Sequence, residues 1–133
     1  MTESTQAQPA SPSSAPPPPV GGHGLLEGKV VVVTAAAGTG IGFATARRCV
    51  EEGATVVVSD AHERRLGEAA DALAELAGDR PLAVTCDVTV DSEVRRLYEL
   101  AIEEHGRFDV AVNNAGLGGQ ADVVDMTDDQ WAK

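Results

Sequence analysis

Lys29-Val30-Val31-Val32-Val33-Thr34, followed by Ala35-Ala36-Ala37-Gly38-Thr39-Gly40-Ile41-Gly42, joins an unbroken β-branched run to a string of small residues. A run of valines without polar alternation suits a strand buried on both faces, the usual state of a strand inside a parallel sheet. The small residues permit a tight turn, and helical character over 40–52 follows, with Ile41, Ala44 and Arg48/Cys49 along one side. Gly53 is placed to end that helix in a left-handed conformation. Strand, tight turn and helix together predict one βα unit.

The same alternation continues outward. Residues 55–59 form a second β-branched run, and 63–77 put Leu66, Ala69/Ala70, Leu73 and Leu76/Ala77 at helical intervals before Gly78. Residues 82–86 predict a third, shorter strand. Asp91 is expected to cap a helix whose Val94, Leu97, Tyr98 and Ala101 share a face, and 108–112 predict a fourth strand. Short connections between alternating elements force right-handed crossovers. The expected fold class is therefore α/β, a doubly wound parallel sheet of Rossmann type with about four strands in the order 3-2-1-4. Residues 25–133 make up the predicted domain portion.

Glycines between a buried strand and a helix let the backbone approach a pyrophosphate, and the helix start directs unpaired amides and a positive dipole end at it. Gly38, Thr39, Gly40, Ile41 and Gly42 are thus candidate phosphate-binding residues, the alternative being a purely structural turn. In the common G-x-G-x-x-G fingerprint the third glycine position would be Phe43. Asp60 ends the second strand, 18 residues after Gly42. A carboxylate there accepts hydrogen bonds from both adenosine ribose hydroxyls and repels a 2′-phosphate, which predicts NAD(H) over NADP(H). Its other possible role is to cap the following helix. Arg64 and Arg65, four and five residues on, are basic groups that could offset it.

The loop from Thr34 to Gly42 resembles the T-G-x-x-x-G-x-G loop of the short-chain dehydrogenase/reductase family. Thr34 matches the threonine and Gly40-Ile41-Gly42 the closing G-x-G. Ala35 stands at the family's first glycine, and the loop is one residue longer before Gly40. Asn113-Asn114-Ala115-Gly116, after the fourth strand, is similar to a family hallmark. Asparagine amides both donate and accept, so they can tie strand ends together, while Ala115 and Gly116 leave room for a cofactor ribose. The resemblance further implies that the Asp87 side chain and the Val88 amide edge an adenine, although Asp87 is also a turn former. It covers almost everything from Glu27 to Lys133, about half of a full-length member. It implies interconversion of a secondary alcohol and a ketone, with the expected helix beginning at Met126–Trp131, capped by Thr127 and Gln130, leading into a dimer-packing helix.

Family members use a Ser and a Tyr-x-x-x-Lys for the proton chemistry. The only tyrosine, Tyr98, is followed four residues later by Ile102, and it reads as a core residue. No catalytic residue is assigned. The fourth strand is expected to leave an exposed apolar edge near Val110 and Val112.

Residues 1–24 carry six of the seven prolines and one carboxylate, Glu3, and are expected to form a disordered tail, with polyproline character at Pro16–Pro19 and a possible role in recruiting a partner. No signal-like or membrane-spanning run is present, so the expected setting is the cytoplasm. Ten basic against 21 acidic residues give a net charge of −11, which argues against nucleic-acid or anionic-membrane partners. Cys49 and Cys86 match no metal or redox spacing and read as small buried residues; none of His23, His62 and His105 has ligands at metal spacing. The expected partner is a small-molecule substrate, with homo-oligomers for full-length relatives. Two other readings are weighed. An S-adenosylmethionine-dependent methyltransferase also uses a G-x-G-x-G loop (Gly38, Gly40, Gly42), but Asn113–Gly116 argues against it. A non-catalytic nucleotide-binding or interaction module is the third.

Overall fold

The structure, a computed structural model, describes residues 20–116 and 122–131. Its elements are strand β1 (Val30–Val33), helix α1 (Ile41–Glu51), β2 (Thr55–Asp60), α2 (Glu63–Ala77), β3 (Leu82–Thr85), α3 (Asp91–His105), β4 (Val110–Val112), a 3-10 turn (Val123–Asp125) and a short α4 (Asp128–Trp131). All strand pairs are parallel and the sheet order is β3-β2-β1-β4, as the alternation of elements predicts.

Every valine of β1 is buried because helices cover both sides of the sheet. One face joins Val31, Val33, Val56 and Val58 to Ala46 and Cys49 of α1 and Leu66 and Leu73 of α2. The other joins Val30, Val32 and Val57 to Cys86 and to Leu97 and Ala101 of α3. Successive strand side chains point to opposite faces, so a run of valines without polar interruption serves both layers at once. Both cysteines are free and buried, in keeping with their reading as small apolar residues. Gly53 takes the left-handed backbone expected at its helix end, with φ of +89°, and Gly78, which ends α2, is left-handed too at +78°.

Three expectations need correction. Composition places Val20–Gly24 in the tail, yet Arg48 donates to the Val20 carbonyl (2.6 Å) and the Glu52 carboxylate accepts the His23 amide (2.7 Å). Composition alone does not register such specific long-range bonds, which attach Val20 and His23 to the end of α1. The remainder of the predicted tail, including Pro16–Pro19, lies outside the described residues. Asp91 is the first residue of α3 rather than its cap; Val90 holds the cap position and makes no side-chain cap bond. The turn is closed upstream, where Asp87 Oδ1 accepts the Thr89 amide (2.9 Å) and hydroxyl (2.7 Å) and Glu93 accepts the Asp87 amide (2.7 Å). The fourth strand is also shorter than 108–112. The Asp109 side chain accepts the Val30 amide at 2.9 Å, so regular pairing starts only at Val110.

Among the described residues β4 is an outer strand, as expected: Val110 is 38% exposed, whereas Val31, its partner on β1, is fully buried. Thr127 and Gln130 form the expected reciprocal cap, each accepting the other's amide at 2.9 and 3.3 Å. No helix among the described residues is long and apolar enough to cross a membrane.

Candidate functional site

The carboxyl-terminal ends of β1 and β4 are laced together at Thr34. Its hydroxyl donates to the Val112 carbonyl (3.3 Å) and accepts the amides of Asn114 (3.0 Å) and Ala115 (3.1 Å). The Asn114 side-chain amide returns to the carbonyls of Thr34 (3.1 Å) and Ala35 (3.2 Å). This is the strand-tying role expected of the asparagine pair, carried by Asn114. Asn113 behaves differently: its side-chain Oδ1 accepts the Tyr98 hydroxyl at 3.4 Å. The Tyr98 ring packs 4.9 Å from Phe108, half-buried on α3 and outside the cleft, consistent with a packing role.

The turn after Thr34 uses two left-handed residues, Ala35 at φ +50° and Gly38 at +81°. Ala35 thus adopts the conformation for which glycine is suited, at the position where the resemblance has glycine. Gly42, one residue into α1, sits against this turn. A β-carbon there would lie 2.2 Å from the Ala35 carbonyl oxygen and 2.6 Å from the Asn114 side-chain nitrogen. The absent side chain is what allows α1 to begin so close to the strand end. Helix α1 has no side-chain cap bond at Gly40 and no acidic residue in its first turn. By contrast α2 carries Glu63 there, and α3 carries Asp91 and Glu93. The positive end of the α1 dipole is therefore left open.

Asp60 fixes the other side of the turn. Its Oδ2 accepts the Ala37 amide (3.2 Å) and its Oδ1 the His62 amide (3.0 Å). The Ala36 amide also donates to the Ser59 carbonyl (3.0 Å). Asp60 lies within a cleft of about 600 Å³ between the ends of β2, β3 and β4. Of the candidate residues, Asp60, Asp87, Val88, Ala115 and Gly116 line this cleft. Asn114 stands behind it as the tie between strands. Gly38, Thr39, Gly40, Ile41 and Gly42 form the adjoining turn and helix start without lining it.

Ala35, Ala61, His62, Cys86 and Thr89 line the cleft and were not among the candidates. Cys86 arrives there because β2 and β3 pair with Asp60 opposite Thr85, and the Cys86 amide donates to the Asp60 carbonyl at 3.1 Å. Burial, with the Glu93 and Asp87 carboxylates nearby, pushes its thiol above the usual range. The Thr89 hydroxyl and amide hold the Asp87 carboxyl below its ordinary value. Among the described residues no group of three or more His, Cys, Asp or Glu side chains is placed to hold a metal ion.

A sequence model for the family described as short chain dehydrogenase matches residues 29–133. The chain belongs to that family. It is 61% identical over 118 residues to a (5R,7aS)-5-hydroxy-7a-methyl-1-oxo-2,3,5,6,7,7a-hexahydro-1H-indene-carboxyl-CoA reductase from Mycobacterium tuberculosis, covering 89% of this chain and 45% of that protein. Its backbone superimposes on a crystal structure of a short chain dehydrogenase from Mycobacterium smegmatis with a TM-score of 0.82 and 61% identity, covering 90% of this chain and 50% of the other. L-sorbose reductase from Gluconobacter frateurii, solved with NADPH and L-sorbose, is 37% identical with a TM-score of 0.72, over 80% of this chain and 40% of the reductase. The chain thus spans about half the length of the relatives it matches. Short chain dehydrogenases bind a nicotinamide cofactor, NAD or NADP, and this membership sets the methyltransferase reading aside.

Proposed function

We propose that this chain carries the NAD(H)-binding portion of a dehydrogenase/reductase that interconverts a secondary alcohol and a ketone. The observation that carries the reading is the Asp60 carboxylate, fixed by two backbone amides and facing a cleft of about 600 Å³ beside the open start of α1. The Gly38–Gly42 segment would hold the pyrophosphate with the first amides of α1, which have neither a side-chain cap nor a carboxylate to compete. Asp60 would accept the adenosine ribose hydroxyls, Asp87 and Val88 would edge the adenine, and Ala115 and Gly116 would leave space for a ribose. Asn114 would act from behind by keeping the β1 and β4 ends together.

Bound there, the nicotinamide supplies or accepts the hydride. No Tyr-x-x-x-Lys occurs in residues 1–133, so no proton-transfer residue is assigned in this chain. The preference for NAD(H) follows from charge: Asp60 stabilises two hydroxyl donors and repels a phosphate dianion in the same place. The 61% identity to a reductase acting on a fused-ring CoA thioester makes fused-ring hydroxy or keto acyl thioesters the first substrates to assay in the whole protein. The expected setting is the cytoplasm.

The test is calorimetric titration of the chain with NAD+, NADP+ and S-adenosylmethionine. NAD+ should bind, NADP+ should bind on the order of tenfold more weakly, and S-adenosylmethionine should give no heat. Equal affinity for NAD+ and NADP+ would remove Asp60 as the selecting group. Absence of both would remove the nucleotide reading.

A further inference from the structure

Resting on the reading of this cleft as the adenosine site, we propose that His62 is a second specificity residue, whose protonation lets the cleft accept a 2′-phosphate beside Asp60. The ten residues that line the cleft include two carboxylates, Asp60 and Asp87, the buried Cys86 thiol, and one side chain able to become a cation, His62. Its position relative to Asp60 is set by a bond in its own backbone, the 3.0 Å contact from the His62 amide to Asp60 Oδ1. Although His62 occupies the cap position of α2, its ring makes no cap bond to the helix. Among the described residues the imidazole is therefore committed neither to the helix start nor to a partner carboxylate.

Arg64 is paired with Glu68 at 2.6 Å on the exposed side of α2, and neither Arg64 nor Arg65 lines the cleft. Among the acids on neighbouring elements, Glu63 lies in the first turn of α2. Glu93 of α3 is engaged with the Asp87 amide, and Asp87 itself is held by Thr89. A 2′-phosphate entering next to Asp60 would thus meet one nearby group able to offset its charge.

Imidazole is the side chain whose charge ordinarily changes between pH 5 and 8. Neutral, His62 leaves Asp60 to exclude the phosphate. Charged, it offsets the Asp60 carboxylate and donates a charge-assisted hydrogen bond to phosphate oxygen. Selectivity for NAD(H) is then steep at neutral and alkaline pH and shallow under mild acid.

The experiment compares NAD+ and NADP+ affinity of the chain and its His62→Gln variant at roughly pH 5.5 and pH 8, either side of the ordinary imidazole range. The phosphate's own second ionisation falls near pH ~6, so some pH dependence of NADP+ binding survives in any variant. The expected result is an additional gain on the order of tenfold in NADP+ affinity relative to NAD+ on acidification in the unaltered chain, absent from H62Q. A second readout uses the His62 ring resonances: 2′-AMP should shift their titration to higher pH, and 5′-AMP should not. Equal pH dependence of NADP+ binding in both proteins, with NAD+ still bound, would overturn this inference alone. No NAD+ binding at either pH would overturn the cleft assignment and this inference with it.

Discussion

The sheet holds a structured carboxylate at each of its two rims, and the pair separates scaffold from site. At the amino-terminal rim, Glu52 is 4% exposed. Its Oε2 accepts the His23 (2.7 Å) and Leu25 (3.2 Å) amides, and its Oε1 pairs with Arg48, which also reaches the Val20 and Gly21 carbonyls. These bonds hold its carboxyl below the usual range, the backbone amides contributing most. At the opposite rim Asp60 also accepts two backbone amides, but it keeps a face on a cleft of about 600 Å³. Charge and backbone bonding are common to both. What distinguishes them is that Glu52 is closed in by its own chain, whereas Asp60 has room for a ligand.

The largest expected effect comes from filling the close approach behind Asp60. In Gly42→Ala the new methyl would lie 2.2 Å from a backbone oxygen and 2.6 Å from the Asn114 amide, so either the turn or the strand tie must move. Overpacking of this kind costs about 3 kcal/mol. Urea denaturation should show that loss, with nucleotide binding abolished even where the variant is folded. A variant of unchanged stability that still binds NAD+ would mean that α1 does not start against the turn.

Asp60→Asn should follow. It removes the charge and keeps one accepting oxygen, so one of the two amides, of Ala37 or of His62, loses its side-chain acceptor. NAD+ affinity should fall roughly tenfold and the gap to NADP+ should narrow, for a loss of about 1.4 kcal/mol in binding and a smaller change in stability. If unfolding shifts more than binding does, Asp60 belongs with Glu52 as scaffold.

Glu52→Gln should show the reverse pattern. NAD+ affinity should be unchanged, while the His23 and Leu25 amides exchange faster with solvent. The sign of the pH effect is fixed by the lowered carboxyl. Its contribution to stability is present above the ordinary carboxylate value and is lost as pH falls through the lower folded value. The acid limb of the stability curve should accordingly be flatter in E52Q than in the unaltered chain. Identical acid limbs would show that the Val20–Leu25 contact carries no linked charge.

The two rims were not equally legible in the sequence. Valine runs of β1 and β2, the helical spacing of Leu66, Ala70 and Leu73, and the Asn114 tie all follow from local pattern, because burial on two faces and strand-end bonding demand those residue types. Asp60 followed from its place at the end of β2. His62, Cys86 and Thr89 reach the cleft through the β2–β3 register and the turn at Asp87, which no local pattern reveals. The Val20–Gly24 contact was hidden for a related reason. A proline-rich composition with one carboxylate signals low burial, yet here backbone groups make the attachment. The cap assigned to Asp91 shows the same limit, since Asp87 four residues earlier closes the turn.

Ala35→Gly is the smallest expected effect and the sharpest test of how the cleft rim is built. At the amino-terminal rim the left-handed positions are glycines, among them Gly24 at φ +73° and Gly53 at +89°. At the cleft rim the first such position is Ala35, at φ +50°. An alanine held there stores roughly 1 kcal/mol of backbone strain. Glycine would release it, but would also give the unfolded chain more conformations to lose, a cost of about 0.4–1 kcal/mol. The two nearly cancel, so the midpoint of urea denaturation should move little in either direction. Binding is the more telling measurement. If the Asn114 bond to the Ala35 carbonyl holds the turn in shape, NAD+ affinity should be unchanged in A35G, because the hydrogen bonds from Ala36 and Ala37 persist. A marked loss of affinity would instead mean that the alanine methyl, which lines the cleft, is itself part of the surface the nucleotide packs against.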